Sequence, residues 1–174
     1  WNHSKLEAGS MAPDNDICSM DAVTLAAAIS AKDVSALEVT AAVLARMEKL
    51  ESTLHAFCTP TPELARKAAK QIDKRIMKNE KVGALAGVPW SCKDLICTAG
   101  VRTASGSAAY ADFIPDEDDV VVERMRDAGA VMLGKTNVPE FGYSGVGHNS
   151  VFPTTRNPWN TDLTSGGSSA GSGA

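Results

Sequence analysis

No part of this 174-residue sequence approaches the roughly 20 consecutive apolar residues that a membrane-spanning helix needs, so no membrane role is expected. Nor does a positively charged start lead into an apolar stretch, the pattern of a secretory leader. Basic residues are not in excess: 17 Lys and Arg against 21 Asp and Glu leave a net charge of −4. That balance gives no footprint for a phosphate backbone, so nucleic acid is not an expected partner. The four cysteines, Cys18, Cys58, Cys92 and Cys97, have no zinc-site spacing, because the last two have no second pair downstream. They read as reduced, partly buried thiols of a cytoplasmic protein. His3, His55 and His148 share no spacing, no internal repeat is evident, and no metal or organic cofactor is expected.

What is present is ordinary for a globular domain. Apolar residues make up 44% and charged residues 22%, and the length suffices for one core. Residues 1–10 (WNHSKLEAGS) precede a methionine, Met11, that stands where a natural start would fall, so they read as a cloning remnant. Residues 11–174 read as a single unit.

The first part of that unit reads as helical. Asp21 to Ser30 is Ala-rich and suits a short helix. Ser35-Ala36-Leu37-Glu38 is a capping box, followed by an expected stripe of Leu37, Ala41, Leu44, Met47 and Glu51. Thr61-Pro62 opens a third helix with Leu64, Ala68, Ile72 and Ile76 on its inner face and its lysines in solvent. From Gly83 the character changes. Ala86 to Cys92 reads as a buried strand, Glu117-Asp118-Asp119 as the acidic first turn of a helix ending near Gly129, and Ala130 to Leu133 as a second buried strand. Strand, helix and strand imply an α/β layer. After Gly142 the sequence is dense in Gly, Ser, Asn, Pro and Thr and reads as a long functional loop.

Two places carry candidate chemistry. Lys93 follows the apolar run Val88-Pro89-Trp90-Ser91-Cys92, so its amine should emerge inside the fold, whereas Lys70 and Lys74 sit on a polar helix face. A lysine can act as a base only when neutral, a state that burial favours. The competing role for Lys93 is an ion pair with Asp94, although neighbouring strand residues point to opposite faces. The second place is Ser165-Gly166-Gly167-Ser168-Ser169-Ala170. By composition alone it could be a flexible linker. It is not a phosphate loop, because no Gly-Lys-Ser/Thr follows the glycines.

Five segments in order carry a family resemblance: Gly87–Leu95 with Lys93-Asp94, the loop pieces Thr98–Val101 and Ala104–Ser107, Ala128–Gly142, Asn157-Pro158-Trp159-Asn160, and Ser165–Ser169. Together they resemble the amidase signature hydrolases. Ser165 stands where that family often has Pro, and Ala170 where it often has Gly. The resemblance implies a mixed-sheet α/β/α core preceded by N-terminal helices, of which this chain is the N-terminal portion. It implies a Ser–Ser–Lys triad in which Lys93 is the base and Ser168, after a cis peptide bond, is the relay. The nucleophilic serine and its oxyanion donors would then lie beyond Ala174. Ser169 would support the Lys93–Ser168 network or serve as a plain structural hydroxyl, and Ser172 would simply start a helix. Gly142, Tyr143 and Ser144 resemble the segment lining the acyl side of the substrate cleft, although Gly142 equally suits a helix C-cap. Trp159 is expected to pack and to position the signature loop.

The expected activity is hydrolysis of a carboxylic amide, or a related ester or carbamate, through an acyl-serine. The expected partner is a small-molecule amide, with a homodimer and a remainder carried on another chain both compatible. A rival within the fold is the glutamine-hydrolysing A subunit of a tRNA-dependent amidotransferase; Val138–Tyr143 looks more like the stand-alone amidases. A rival of another class is a non-catalytic fragment or binding subunit.

Overall fold

A computed structural model describes residues 17–174; residues 1–10, read as a remnant, lie outside the described part. The chain enters through two helices. In α1 (Ala22–Ala31), Asp21 caps the start by accepting from the Val23 and Thr24 amides. In α2 (Ala36–Leu54), the Ser35–Glu38 capping box forms in both directions. A second device reinforces it: the Asp73 carboxylate accepts from the amides of Ala36 at 2.8 Å and Leu37 at 3.1 Å. Two first-turn donors that have no partner within the helix are thereby satisfied from a neighbouring helix.

The buried face of α2 comprises Ala36, Val39, Thr40, Leu44 and Leu54, while Ala41 is exposed. The inner row is thus rotated from the expected stripe. In α3 (Pro62–Met77) the buried row is Ala65, Ala69, Ile72 and Ile76, and Leu64 is 51% exposed. An unbroken i, i+4 row advances more than one turn per step and drifts around the helix. A row spaced four, three, four follows the 3.6-residue turn and stays against the core. Proline occupies the first turn of α3 as expected, but Thr61 makes no side-chain cap bond; its hydroxyl reaches the Met132 carbonyl instead.

Between α2 and α3 runs a strand absent from the sequence reading, β1 (Phe57–Pro60). It pairs antiparallel with β3 (Val131–Thr136), which pairs parallel on its other side with β2 (Pro89–Lys93). The sheet is therefore mixed, in the order β1–β3–β2. β2 starts three residues later than expected and includes Lys93 itself; β3 runs on to Thr136. The parallel pair is joined through α4 (Val120–Asp127), as a crossover requires. The acidic residues before α4 hold a loop rather than occupy the first turn. Asp119 accepts from the Cys97 amide at 2.6 Å, and Asp118 from the Ala99 amide at 2.7 Å while also pairing with Arg126. α2 packs on α3 and α3 on β3, enclosing a core that includes Ile29, Val39, Leu44, Ile72, Val131 and Leu133.

Beyond Gly142 the chain is mostly irregular, as expected, but it contains a short hairpin of β4 (Arg156–Asn157) and β5 (Asn160–Thr164), then α5 (Ala170–Gly173). Pro158 and Trp159 form the tip of that hairpin. Trp159 is 95% exposed and does not pack, which corrects the expectation of a packing residue. No helix among the described residues is long and apolar enough to cross a membrane.

Candidate active site

Lys93 is the last residue of β2, and its register partner on β3 is Thr136. Paired residues of a parallel ladder project to the same side, so the Lys93 amine and the Thr136 hydroxyl face one surface. The signature loop crosses that surface. Lys93 Nζ donates to Ser168 Oγ at 2.8 Å, and Thr136 Oγ1 shares a hydrogen bond of 2.8 Å with Ser172 Oγ. Lys93 and Ser168 are both half-buried. The loop is thus held to two adjacent strands, through its second serine and through the helix that follows.

The backbone of this segment is specialised. The Gly167–Ser168 peptide is cis, and Gly166 has φ +88°. Gly167 is pressed against a neighbouring turn: a β-carbon there would lie 2.7 Å from the Val146 carbonyl oxygen and 2.8 Å from its nitrogen. Gly171 has still less room, since a β-carbon would sit 1.9 Å from the Ala56 carbonyl oxygen. Its amide donates to the Asn137 carbonyl at 2.9 Å, so the absent side chain lets α5 lie directly on the end of β3. The two departures from the family pattern fit this arrangement. Ser165 Oγ donates to the carbonyls of Gly166 at 3.4 Å and Ala170 at 3.1 Å, and the Ala170 methyl is buried. Ser165 therefore fastens the loop to the helix that follows it.

Three residues were expected to line the cleft. Gly142 has φ +68°, and a β-carbon placed on it would lie 3.8 Å from Ser168 Oγ and 2.7 Å from Leu95 Cδ1. Gly142 therefore stands beside the Lys93–Ser168 pair. Tyr143, 95% exposed, and Ser144, also exposed, continue away from it into a shallow pocket of about 430 Å³ with Phe141 and His148. Ser169 is exposed and makes no hydrogen bond to Lys93 or Ser168 through its side chain.

The Lys93–Asp94 pair considered from sequence does not form. Asp94 is fully buried, and its Oδ1 accepts from the Ala104 amide at 3.3 Å. Burial pushes its carboxyl above the ordinary range, and the charge of Lys135 opposes that rise. Residues that sequence reasoning passed over hold the site in place. Buried Asn137 donates to the Pro153 carbonyl at 2.9 Å and to Thr155 Oγ1 at 3.0 Å, and accepts from the Val138 amide and from Asn149. The signal for it was the Gly134-Lys135-Thr136-Asn137 run, read as a family motif but not for what its side chains do. Among the described residues no three His, Cys, Asp or Glu side chains cluster as a metal site.

A lysine amine bonded to a serine on a glycine-lined loop, at the edge of a mixed α/β sheet, points to the class of α/β amide hydrolases. Comparison with known proteins agrees: a family model described as Amidase matches residues 38–174, and this chain belongs to that family, the amidase signature enzymes. Among curated proteins it is 45% identical over 143 residues to the A subunit of the glutamyl-tRNA(Gln) amidotransferase of Thermosynechococcus vestitus, covering 82% of this chain and 30% of that one. Among solved structures it is similar to the peptide amidase of Stenotrophomonas maltophilia, with 35% identity, a TM-score of 0.82, and coverage of 88% of this chain and 33% of that one. It is also similar to fatty acid amide hydrolase, with 27% identity, a TM-score of 0.88, and coverage of 92% and 29%. The chain thus spans about a third of the length of these relatives.

Proposed function

We propose that the full-length protein containing this chain hydrolyses a carboxylic amide through an acyl-serine intermediate. Lys93 is the base, Ser168 the relay, and a serine downstream of Ala174 the nucleophile. The 2.8 Å bond from Lys93 Nζ to Ser168 Oγ carries this reading. A hydroxyl placed between an amine and a second hydroxyl accepts one proton while donating another. In acylation the downstream serine oxygen attacks the carbonyl carbon as its proton passes to Ser168, whose own proton passes to the Lys93 amine. When the C–N bond breaks, the same proton returns along the relay to the leaving nitrogen, which departs as amine or ammonia. Water then attacks the acyl-serine with the relay again accepting its proton, which releases the carboxylic acid and restores the serine. The half-buried setting of Lys93 and the closeness of Gly142 to Ser168 both suit a cleft in which an acyl group approaches the backbone.

The test is direct. Purified full-length protein, presented with simple aliphatic and aryl amides, should release acid and amine in equal amounts, and hydroxylamine should divert the acyl group to a hydroxamate. Absence of hydroxamate from an active enzyme would remove the acyl-serine from the scheme.

A second reading has its own support. The 45% identity to the A subunit of a glutamyl-tRNA(Gln) amidotransferase is higher than the identity to the peptide amidase, and it favours glutamine as the amide and a multisubunit assembly as the setting. Glutamine hydrolysis that rises sharply when partner subunits are added would select this reading. Hydrolysis of simple amides by the isolated protein would select the stand-alone amidase.

A further inference from the structure

Behind the Lys93–Ser168 pair lies a second ionisable cluster that the proton relay does not use. Lys135, next to last in β3, is fully buried. Its Nζ donates to the Ile96 carbonyl, to Thr98 Oγ1 at 3.0 Å and to Thr103 Oγ1 at 3.2 Å. All three N–H groups are therefore spent on neutral oxygens of one loop. Asp94 is equally buried; its Oδ2 has no hydrogen-bond partner, while Oδ1 takes the Ala104 amide of the same loop. A buried ammonium solvated only by dipoles is costly alone, and so is a buried carboxylate with a bare oxygen. The two groups are of opposite sign and hold the same loop, although no direct ion pair joins them among the described residues. The Asp94 carboxyl feels Lys135 as its main favourable influence, and the same carboxylate, after burial itself, pushes the Cys58 thiol upward.

The cluster is joined to the site through the loop it grips. Lys135 pairs with Cys92 and Lys93 with Thr136, so alternation turns Lys135 to the face opposite Lys93 and Ser168. From Asp94 the chain passes through residues 95–106, held at Ile96, Thr98 and Thr103 by Lys135 and at Ala104 by Asp94. The Ser105 amide donates to the Asp94 carbonyl at 3.0 Å, and the Ser105 carbonyl accepts from the Phe141 amide at 2.8 Å. Phe141 is held there at φ +49°, immediately before Gly142. Leu95, at the other end of the loop, touches the Gly142 position beside Ser168. Both ends of the loop thus bear on the wall of the cleft.

We propose that Asp94 and Lys135 act as one charge-balanced positioning unit, which clamps residues 95–106 so that Leu95 and Gly142 keep their places beside Ser168. The role rests on the relay reading above, and neither residue touches the reacting atoms. Substituting one partner leaves a buried charge uncompensated, whereas substituting both removes charge of each sign. Stability and turnover should therefore separate in a double-mutant cycle.

The experiment compares Asp94→Asn, Lys135→Met and the double variant in the full-length enzyme. It follows thermal midpoint, kcat, KM and the rate of labelling by a fluorophosphonate. Each single variant should lose midpoint, and the double should lose less than the sum of the two and approach the parent. Well below its midpoint, the folded double should still turn over about 10- to 100-fold more slowly than the parent, because the clamp is gone even though charge balance is restored. Strictly additive losses of midpoint would overturn the coupling, and parental kcat with parental labelling in the folded double would overturn the positioning role. If Lys135→Met fails to fold alone while the double folds, that is the coupling expected. Should both fail, Thr103→Val removes one acceptor without a charge, and parental kcat there would overturn the clamp. Lys93→Ala, run in parallel, separates the two readings: its failure to slow turnover would remove the relay, whatever the Asp94–Lys135 cycle shows.

Discussion

Lys93 Nζ lies 2.8 Å from Ser168 Oγ although 75 residues separate them in sequence. The contact is fixed from both sides: β2 delivers the lysine in register with Thr136, and Thr136 meets Ser172 four residues beyond Ser168. A pair held this way needs little reorganisation before it moves a proton, which is what a relay requires.

Replacing Lys93 by Ala in the full-length enzyme is expected to reduce amide turnover by about 10²- to 10⁴-fold while leaving substrate binding little changed. Lys93→Arg should not rescue it, because a guanidinium does not become neutral near pH 7. Steady-state kinetics with an inhibitor-binding measurement separate the two effects. Near-normal turnover by Lys93→Ala would take the lysine out of the mechanism.

Two glycines of α5 offer an internal control. Gly171→Ala would drive a methyl into the Ala56 carbonyl oxygen, whereas Gly173 has nothing within 4 Å of its β-carbon position. Overpacking at Gly171 should cost about 1–3 kcal/mol and displace the signature loop, lowering activity. Gly173→Ala should be neutral or stabilising by up to about 1 kcal/mol. Equal thermal midpoints and equal rates for the two variants would contradict this seating of α5.

How much of this was legible beforehand follows from the kind of signal each part carries. The Ser35–Glu38 box and Pro62 are local chemistry and appear where the sequence puts them. The face of a helix is less local: reading Leu64 as buried follows an i, i+4 row, while the true row shifts to Ala65 and Ala69. β1 is only four residues, half-buried and ends in Pro60, and β5 is polar and mostly exposed, so neither shows the alternation that marks a strand. Lys93 and Ser168 were legible only as members of ordered motifs, since no periodicity links residues so far apart. Asp94, Lys135 and Asn137 were visible in those same motifs. Their roles depend on which strand faces which loop, and that is decided by tertiary structure.

Asp73 is expected to matter more to stability than the capping serine next to its targets. It accepts two main-chain donors of α2 from α3 in a half-buried position, whereas Ser35 accepts one. Asp73→Ala should cost about 2 kcal/mol, as expected for hydrogen bonds to a charged acceptor, and Ser35→Ala about 1 kcal/mol. Urea unfolding of the two variants gives the comparison, and a larger loss for Ser35→Ala would reverse the assignment of the main cap.

A fluorophosphonate probe tests where the nucleophile lies. Such a probe reacts with a serine whose proton is being removed and whose oxygen faces an electrophile in the cleft. Ser168 is half-buried and already hydrogen-bonded to Lys93, which suits a relay. Ser169 is exposed and its side chain makes no hydrogen bond to that base, which leaves it an ordinary hydroxyl. Ser172 is engaged with Thr136. None of the three combines access with an activating base, so the full-length enzyme should be labelled at a serine downstream of Ala174, and the 174-residue chain alone should remain unlabelled and without amidase activity. Peptide mapping by mass spectrometry reads the position directly. Stoichiometric label on Ser168 or Ser169 would move the nucleophile into this chain and turn Lys93 from the far end of a relay into its immediate base.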